Sequence, residues 1–197
     1  MKKVGILVGH FGSGTGAQIP NRDEWTLACM DALKLTQMLE RDGILHPVLI
    51  GVNEKEHPWD LIQTVSKISP PSFLGGWGNI DIRVAWAIRD KVDAAVEFHI
   101  NSAKGAAEGH EVFIRRFPGP LTRRLGQCLI NEFEVLGNSD RGLKHKSFRI
   151  LRKLHAANIP AAILEPAFLS EVSWDSRDWR DQYVSAVRTA LYRFFNL

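Results

Sequence analysis

The chain has 197 residues, 45% hydrophobic and 24% charged, a balance that supplies one domain with a proper core and excludes a largely disordered chain. Its formal net charge is +3, a mild excess that suits an anionic partner, nucleic acid or a bacterial cell wall alike, without identifying one; the basic residues fall in short groups (Arg115-Arg116, Arg123-Arg124 and 141–153), not in one run, and a solvated helix face explains them equally well. No stretch of about 18 apolar residues is available to span a membrane, and the two cysteines, Cys29 and Cys128, sit in apolar helical patterns that read as buried free thiols, with no Cys-x-x-Cys pair to build a zinc site.

Residues 4–8 form a short apolar run that reads as a buried strand. Two lysines precede it, but it is too short for a signal-peptide core, so the chain is expected to be made in the cytoplasm with this segment kept as its first strand. A glycine-rich loop covers 9–20. Asn21 or Asp23 is placed to cap a helix starting near Glu24, with Ala28, Ala32, Leu35 and Leu39 on one face and Gly43 as its stop. Residues 45–52 read as a second strand. The segment 53–80 carries Pro58, Pro70, Pro71, Gly75, Gly76 and Gly78, has at most a weak helix at 60–68, and is the first suspect for a lid or binding loop.

A helix at 81–90 and strands at 94–100 and 111–114 follow. Residues 121–136 are helical by period through Leu121, Leu125, Leu129 and Phe133. Short strands are expected at 148–151 and 161–164. An amphipathic helix over 179–195 closes the chain through Trp179, Tyr183, Val187, Leu191 and Phe194. Alternating strands and helices predict an α/β three-layer sandwich, a largely parallel (mixed) sheet flanked by helices, as a single domain over 1–197.

Three of the apolar strands run directly into a residue with acid/base or metal chemistry: VGILVGH into His10, AAVEFH into His99, AAILE into Glu165. Ligands of open α/β sheets bind beyond the carboxyl ends of the strands, so parallel strands bring these side chains to one edge. Glu24 opens the helix after the first loop and faces the same edge. Two histidines and two glutamates there match a catalytic zinc site, with three ligands, one open position and a carboxylate outside the coordination shell.

Each residue also has an ordinary reading. His10 suits a loop histidine, and Glu24 a first-turn glutamate favoured by the helix dipole. Glu165 is hardest to explain otherwise, because a carboxylate buried unpaired costs several kcal/mol. His46, His57, His110, His145 and His155 read as surface residues, with His110 and His145 nearest the motif segments. No Gly-x-Ser-x-Gly elbow is present. The Gly12–Gly16 run lacks the Gly-Lys-Ser/Thr ending of a phosphate loop.

Taken together, ILVGHFGSGTGAQIPNRDEW, VEFHINSA, GHEVFI and DRGLKHKSFRILRKLHAANIPAAILEPAFLS resemble, in order and over nearly the whole chain, the zinc-dependent N-acetylmuramoyl-L-alanine amidases of the amidase-3 family. The resemblance implies a Zn2+ cofactor held by His10, Glu24 and His99, with Glu165 as the catalytic acid/base. Asn101, just after the third ligand, and Arg141, whose guanidinium fits a stem-peptide carboxylate, are the substrate-binding candidates. The implied substrate is peptidoglycan, cut between N-acetylmuramic acid and L-alanine. Phe11, Glu97, Pro166-Ala167 and Glu171 depart from the family's usual residues beside the site, whereas Arg83 matches a frequent arginine.

A catalytic domain that fills the chain resembles a compact phage endolysin, reaching the wall once the membrane is breached and acting as a monomer. A nucleic-acid partner is not expected, since no aromatic-basic motif is present. Two alternatives stand beside this reading. A related zinc carboxypeptidase or N-acyl amino-acid amidohydrolase would use a similar ligand set. A non-catalytic cell-wall-binding protein would not need all four site residues.

Overall fold

The computed structural model describes residues 1–10, 16–20, 22–50, 80–103, 107–171 and 176–197. In chain order the elements are β1 (Lys2–Val8), a small hairpin of β2 (Gln18–Ile19) and β3 (Arg22–Asp23), α1 (Glu24–Asp42), β4 (Leu45–Ile50), α2 (Ile80–Arg89), β5 (Ala94–Phe98) and β6 (His110–Arg115). Then come α3 (Pro120–Glu132) with a 3-10 turn at Phe133–Leu136, β7 (Asp140–Lys146), α4 (Arg149–Ala156), β8 (Ala161–Glu165) and α5 (Arg177–Phe195).

The main sheet has six strands in the order β4-β1-β5-β8-β6-β7. Its pairs are parallel except β6–β8, which is antiparallel. Strand parity divides the core in two. Val4, Ile6, Val8, Val96, Phe98, Ile114 and Leu164 pack beneath α1, α3 and α5. Leu7, Ala95, Phe113, Ala161 and Ile163 point the other way, beneath α2 and α4. The result is the expected three-layer α/β sandwich, because each central strand must bury both faces.

Local chemistry sets the boundaries that matter for the site. Asp23 is extended and its carboxylate accepts from the Thr26 backbone N–H at 2.8 Å, which starts α1 at Glu24. Gly43 ends that helix in the left-handed region, φ 65°, where glycine avoids the Cβ penalty. Ser176 caps α5 by accepting from Trp179 N–H.

Several expectations need correction. Residues 148–151 are not a strand: Ile150, Leu151 and Leu154 are buried along α4, a helical spacing that a four-residue window misses. The strand lies before it, at β7, whose Asp-Arg-Gly-Leu-Lys-His-Lys sequence is polar and largely solvent-facing. It forms the sheet edge, where charge is tolerated and discourages edge pairing. The helix expected over 121–136 tightens to 3-10 at Phe133. The third strand ends at Phe98, before His99. Cys29 is buried and Cys128 half-buried, both as free thiols. The segment 53–79, His57 and Phe11 lie outside the described residues. Among the described residues no helix is long and apolar enough to cross a membrane.

Candidate metal centre

β1, β5 and β8 are adjacent and parallel, so their carboxyl ends share one edge of the sheet. Val8 pairs with Phe98, and Phe98 with Leu164. The next residues are Gly9-His10, His99 and Glu165. The backbone N–H of Gly9 donates to Phe98 C=O (2.9 Å), and that of His99 to Leu164 C=O (3.1 Å). Sheet hydrogen bonding thus continues one step past the strands and holds the site residues at fixed heights.

His10 sits in the left-handed region, φ 59°, a conformation uncommon for a side-chain-bearing residue that concentrates at functional sites. Glu24 reaches the same edge from the start of α1. Its backbone N–H donates to Ala17 C=O, and the Ala17 N–H donates back to Glu24 Oε2, each at 2.9 Å. The β2–β3 hairpin, which sequence reasoning did not anticipate, is what returns the chain for this exchange. A second backbone donor to the carboxylate, Ile100 N–H, approaches Glu24 Oε1 at 3.2 Å.

Around that fixed carboxylate stand the two histidines. His10 Nε2 is 3.1 Å from Glu24 Oε2, and His99 Nδ1 is 2.8 Å from Oε1. The rings meet edge-on with centroids 5.0 Å apart. One ligand atom from each residue lies within 4.8 Å of the other two. Two close approaches leave room for this. A Cβ on Gly9 would sit 2.1 Å from His99 Cε1. One on Gly16, φ +77°, would meet Glu24 Oε2 at 2.6 Å. Both positions need glycine for the site to close.

The electrostatics follow from crowding. Burial opposes a charge on Glu24, but hydrogen bonds from His10 and His99 outweigh it and hold the carboxyl far below its usual range. Burial likewise opposes a charged imidazole at His99, but Glu24 and Glu97 push its pKa up to about 10. The metal-free site thus favours a positive charge, and a bound metal ion would displace the imidazole proton. Glu165 behaves in the opposite way. Burial pushes its carboxyl up to about 8 against the pull of His99, with Glu24, Glu111 and Glu97 adding to the rise. Its Oε2 is buried with no hydrogen-bond partner among the described residues. Two imidazoles and one carboxylate form a donor set that could hold a metal ion, and a buried carboxylate oxygen without a partner among the described residues is a feature that clusters at functional sites.

The reversal of β6 brings the amino ends of β6 and β7 to the same edge. Glu111 is directly opposite Glu165 in register. Its carboxylate accepts from Asn101 Nδ2 (2.7 Å), Arg141 Nε (2.9 Å) and Lys144 Nζ. Burial opposes its charge, but Lys144 and Arg141 hold the carboxyl below its usual range. The Asn101 side chain is thus committed inside the protein, its Oδ1 accepting from Ser102 N–H. Arg141 is exposed and also lies over the Phe168 ring at 4.9 Å. Glu171 accepts from the backbone N–H groups of Phe168 and Gly109, pinning the turn after β8 to the entry of β6. His110, expected at the surface, is buried against Asn138 (2.7 Å). His46 and His145 are exposed and His155 half-buried.

Glu97 was overlooked as a participant. It is 3% exposed and paired with Arg83, itself 5% exposed. The signal was available: AAVEF buries a carboxylate by the same argument that singled out Glu165.

Known proteins share the fold and identify the family. The profile of the N-acetylmuramoyl-L-alanine amidase family Amidase_3 matches residues 4–194. The N-acetylmuramoyl-L-alanine amidase CwlM of Bacillus licheniformis is 26% identical over 202 aligned positions, covering the whole chain and 70% of that protein. An N-acetylmuramoyl-L-alanine amidase from Clostridium difficile 630 superposes with a TM-score of 0.77 at 22% identity, over 99% of this chain and 97% of that one. The CwlD amidase of Clostridioides difficile, solved in complex with the GerS lipoprotein, superposes at 0.79 and 17% identity, over 100% and 99% of the two chains. The family match over nearly the whole chain makes this α/β protein a hydrolytic enzyme. The chain belongs to the Amidase_3 family of N-acetylmuramoyl-L-alanine amidases, enzymes that act on the bacterial cell wall.

Proposed function

We propose that the chain is a zinc-dependent amidase that cleaves the bond between the lactyl carbonyl of N-acetylmuramic acid and the amine of L-alanine in peptidoglycan. The observation that carries this reading is the convergence of His10, Glu24 and His99, with Glu165 Oε2 buried and without a hydrogen-bond partner among the described residues. His10, Glu24 and His99 would hold the ion. Bound there, zinc supplies a Lewis acid for the scissile carbonyl and for the attacking water.

The chain's own residues do the rest. Glu165 accepts a proton from the attacking water and delivers it to the departing alanine nitrogen. Its raised pKa suits a group that must both take and give a proton near neutrality. Glu24, fixed by Ala17 and Ile100, keeps the two imidazoles apart and oriented. Arg141, steadied by Glu111 and Phe168, offers its outer guanidinium edge to a stem-peptide carboxylate. Asn101 supports that arrangement through Glu111.

The same reading has the enzyme act as a lysin that meets the wall after the membrane is breached. Support comes from its net charge of +3, which suits an anionic wall. Peptidoglycan digested by the purified protein and analysed by mass spectrometry tests the substrate. Free stem peptides with L-alanine at the amino end are expected. Loss of a carboxyl-terminal residue instead would make it a peptidase. Cells expressing the protein should lyse only when a membrane-permeabilising agent is also added; lysis by expression alone would overturn the proposed route.

A further inference from the structure

Glu97 is a buried carboxylate to which the hydrolytic scheme gives no task. By strand parity it shares the face of Ala95, covered by α2. There Arg83 Nη1 donates to its Oε1. The other oxygen, Oε2, is turned toward the site and lies 3.5 Å from His99 Nε2. The His99 imidazole thus has a carboxylate on each side, Glu24 at Nδ1 (2.8 Å) and Glu97 at Nε2.

The two sides are not equivalent. Nδ1 faces the carboxylate that also meets His10. The ring edge lies over the Gly9 backbone, where a Cβ would stand 2.2 Å from Nε2 and 2.5 Å from Nδ1, so the carboxylates on either side, not Gly9, distinguish the two nitrogens. Nδ1 is the nitrogen on the side of the other two ligand residues, and Nε2 faces the buried Glu97–Arg83 pair. A histidine that ligates a metal uses one nitrogen for the ion and carries its proton on the other. An acceptor for that proton fixes the tautomer, orients the ring and makes the ligand nitrogen more basic.

We propose that Glu97 is a positioning residue of the metal centre: its Oε2 receives the Nε2–H of His99, so that Nδ1 is presented to the ion. Arg83 holds Glu97 in place. The same Nη1 donates to Val8 C=O at 2.7 Å, at the end of the strand that delivers His10. One guanidinium thereby ties the supports of two ligands together. An ion pair serving α2 alone would account for Oε1 but leaves the placement of Oε2 unexplained. The inference rests on the metal-binding reading of His10, Glu24 and His99 and adds a residue outside that set.

The test is zinc affinity, measured on the full chain by competition with a chromophoric chelator, together with the cobalt(II) absorption spectrum and thermal unfolding of the metal-free protein. Glu97→Ala should weaken zinc binding about 10- to 100-fold and alter the cobalt spectrum. Glu97→Gln keeps an acceptor oxygen of lower basicity and should fall between. Because Glu97→Ala strands the Arg83 charge, a paired variant, Arg83→Met with Glu97→Leu, removes both charges and should keep the fold while losing affinity to the same degree. Zinc affinities within about twofold of wild type, with an unchanged cobalt spectrum in all three, would overturn the inference while leaving the metal site intact. A wild-type protein that binds no zinc would overturn the metal reading and this inference with it.

Discussion

Gly9→Ala isolates the placement of His99 from every other property of the site. Gly9 lies outside the left-handed region, so alanine brings no backbone strain there. The whole effect is the new methyl group, which would stand 2.1 Å from Cε1 and 2.2 Å from Nε2 of the imidazole. Restoring ordinary contact requires the ring or the strand end to retreat by roughly 1.3 Å. A metal ligand tolerates about 0.2 Å, and a reacting group displaced by about 1 Å loses on the order of 10²-fold in rate, close to 2.7 kcal/mol in the barrier. Overpacking should cost a further ~1–3 kcal/mol of stability. Zinc affinity by chelator competition, release of amines from peptidoglycan, and urea unfolding read the three effects separately. Wild-type zinc affinity and turnover in Gly9→Ala would refute the account of how β1 and β5 together hold His99.

Glu165→Gln should bind zinc as wild type does and lose about 10²- to 10⁴-fold in hydrolysis; near-normal turnover would remove Glu165 from its role. Glu165 also makes a pH prediction for the chelator-treated protein. Burial raises its folded pKa to about 8 above an unfolded value of about 4.3. The folded state therefore binds the proton more tightly, and this contribution to stability is present below about pH 4.3 and lost as pH rises through about 8. Melting temperatures of wild type should fall relative to Glu165→Gln between about pH 5 and 8; parallel curves would contradict the shift. Away from the site, Arg180 donates through Nε (3.0 Å) and Nη2 (2.6 Å) to the buried carboxylate of Asp31, joining α5 to α1. Arg180→Met should cost about 3–5 kcal/mol in urea unfolding, and adding Asp31→Leu should recover most of it. A single-variant loss under about 1 kcal/mol would show the pair to be dispensable.

Much of this molecule was legible because its central strands announce themselves. VGILV, AAVEF and AAILE are apolar on both faces and end in His10, His99 and Glu165, and parallel pairing alone then assembles the edge. Glu24 was harder. Its role depends on the β2–β3 hairpin and the Ala17 exchange, two-residue strands whose pairing leaves no periodic signal. β7 was missed because an edge strand need not be hydrophobic, and the apolar residues just beyond it belong to α4. The reversal of β6 could not be read from composition either. It brings Glu111, Arg141 and Lys144 to the site, so the Arg141 that sequence reasoning offered as a free guanidinium arrives already tied to Glu111. Glu97 is a polar residue inside an apolar strand, and its place there is explained only by Arg83, a partner 14 residues away that local pattern does not reveal.

The central claim is that hydrolysis depends on an ion held by His10, Glu24 and His99. It is tested most directly by adding zinc back to the chelator-stripped protein while following the release of L-alanine amino termini from peptidoglycan. The account predicts that hydrolysis is absent without metal, rises in proportion to zinc and levels off at about one ion per chain, with no recovery in His10→Ala. Hydrolysis that survives metal removal, or recovery in His10→Ala equal to wild type, would contradict it.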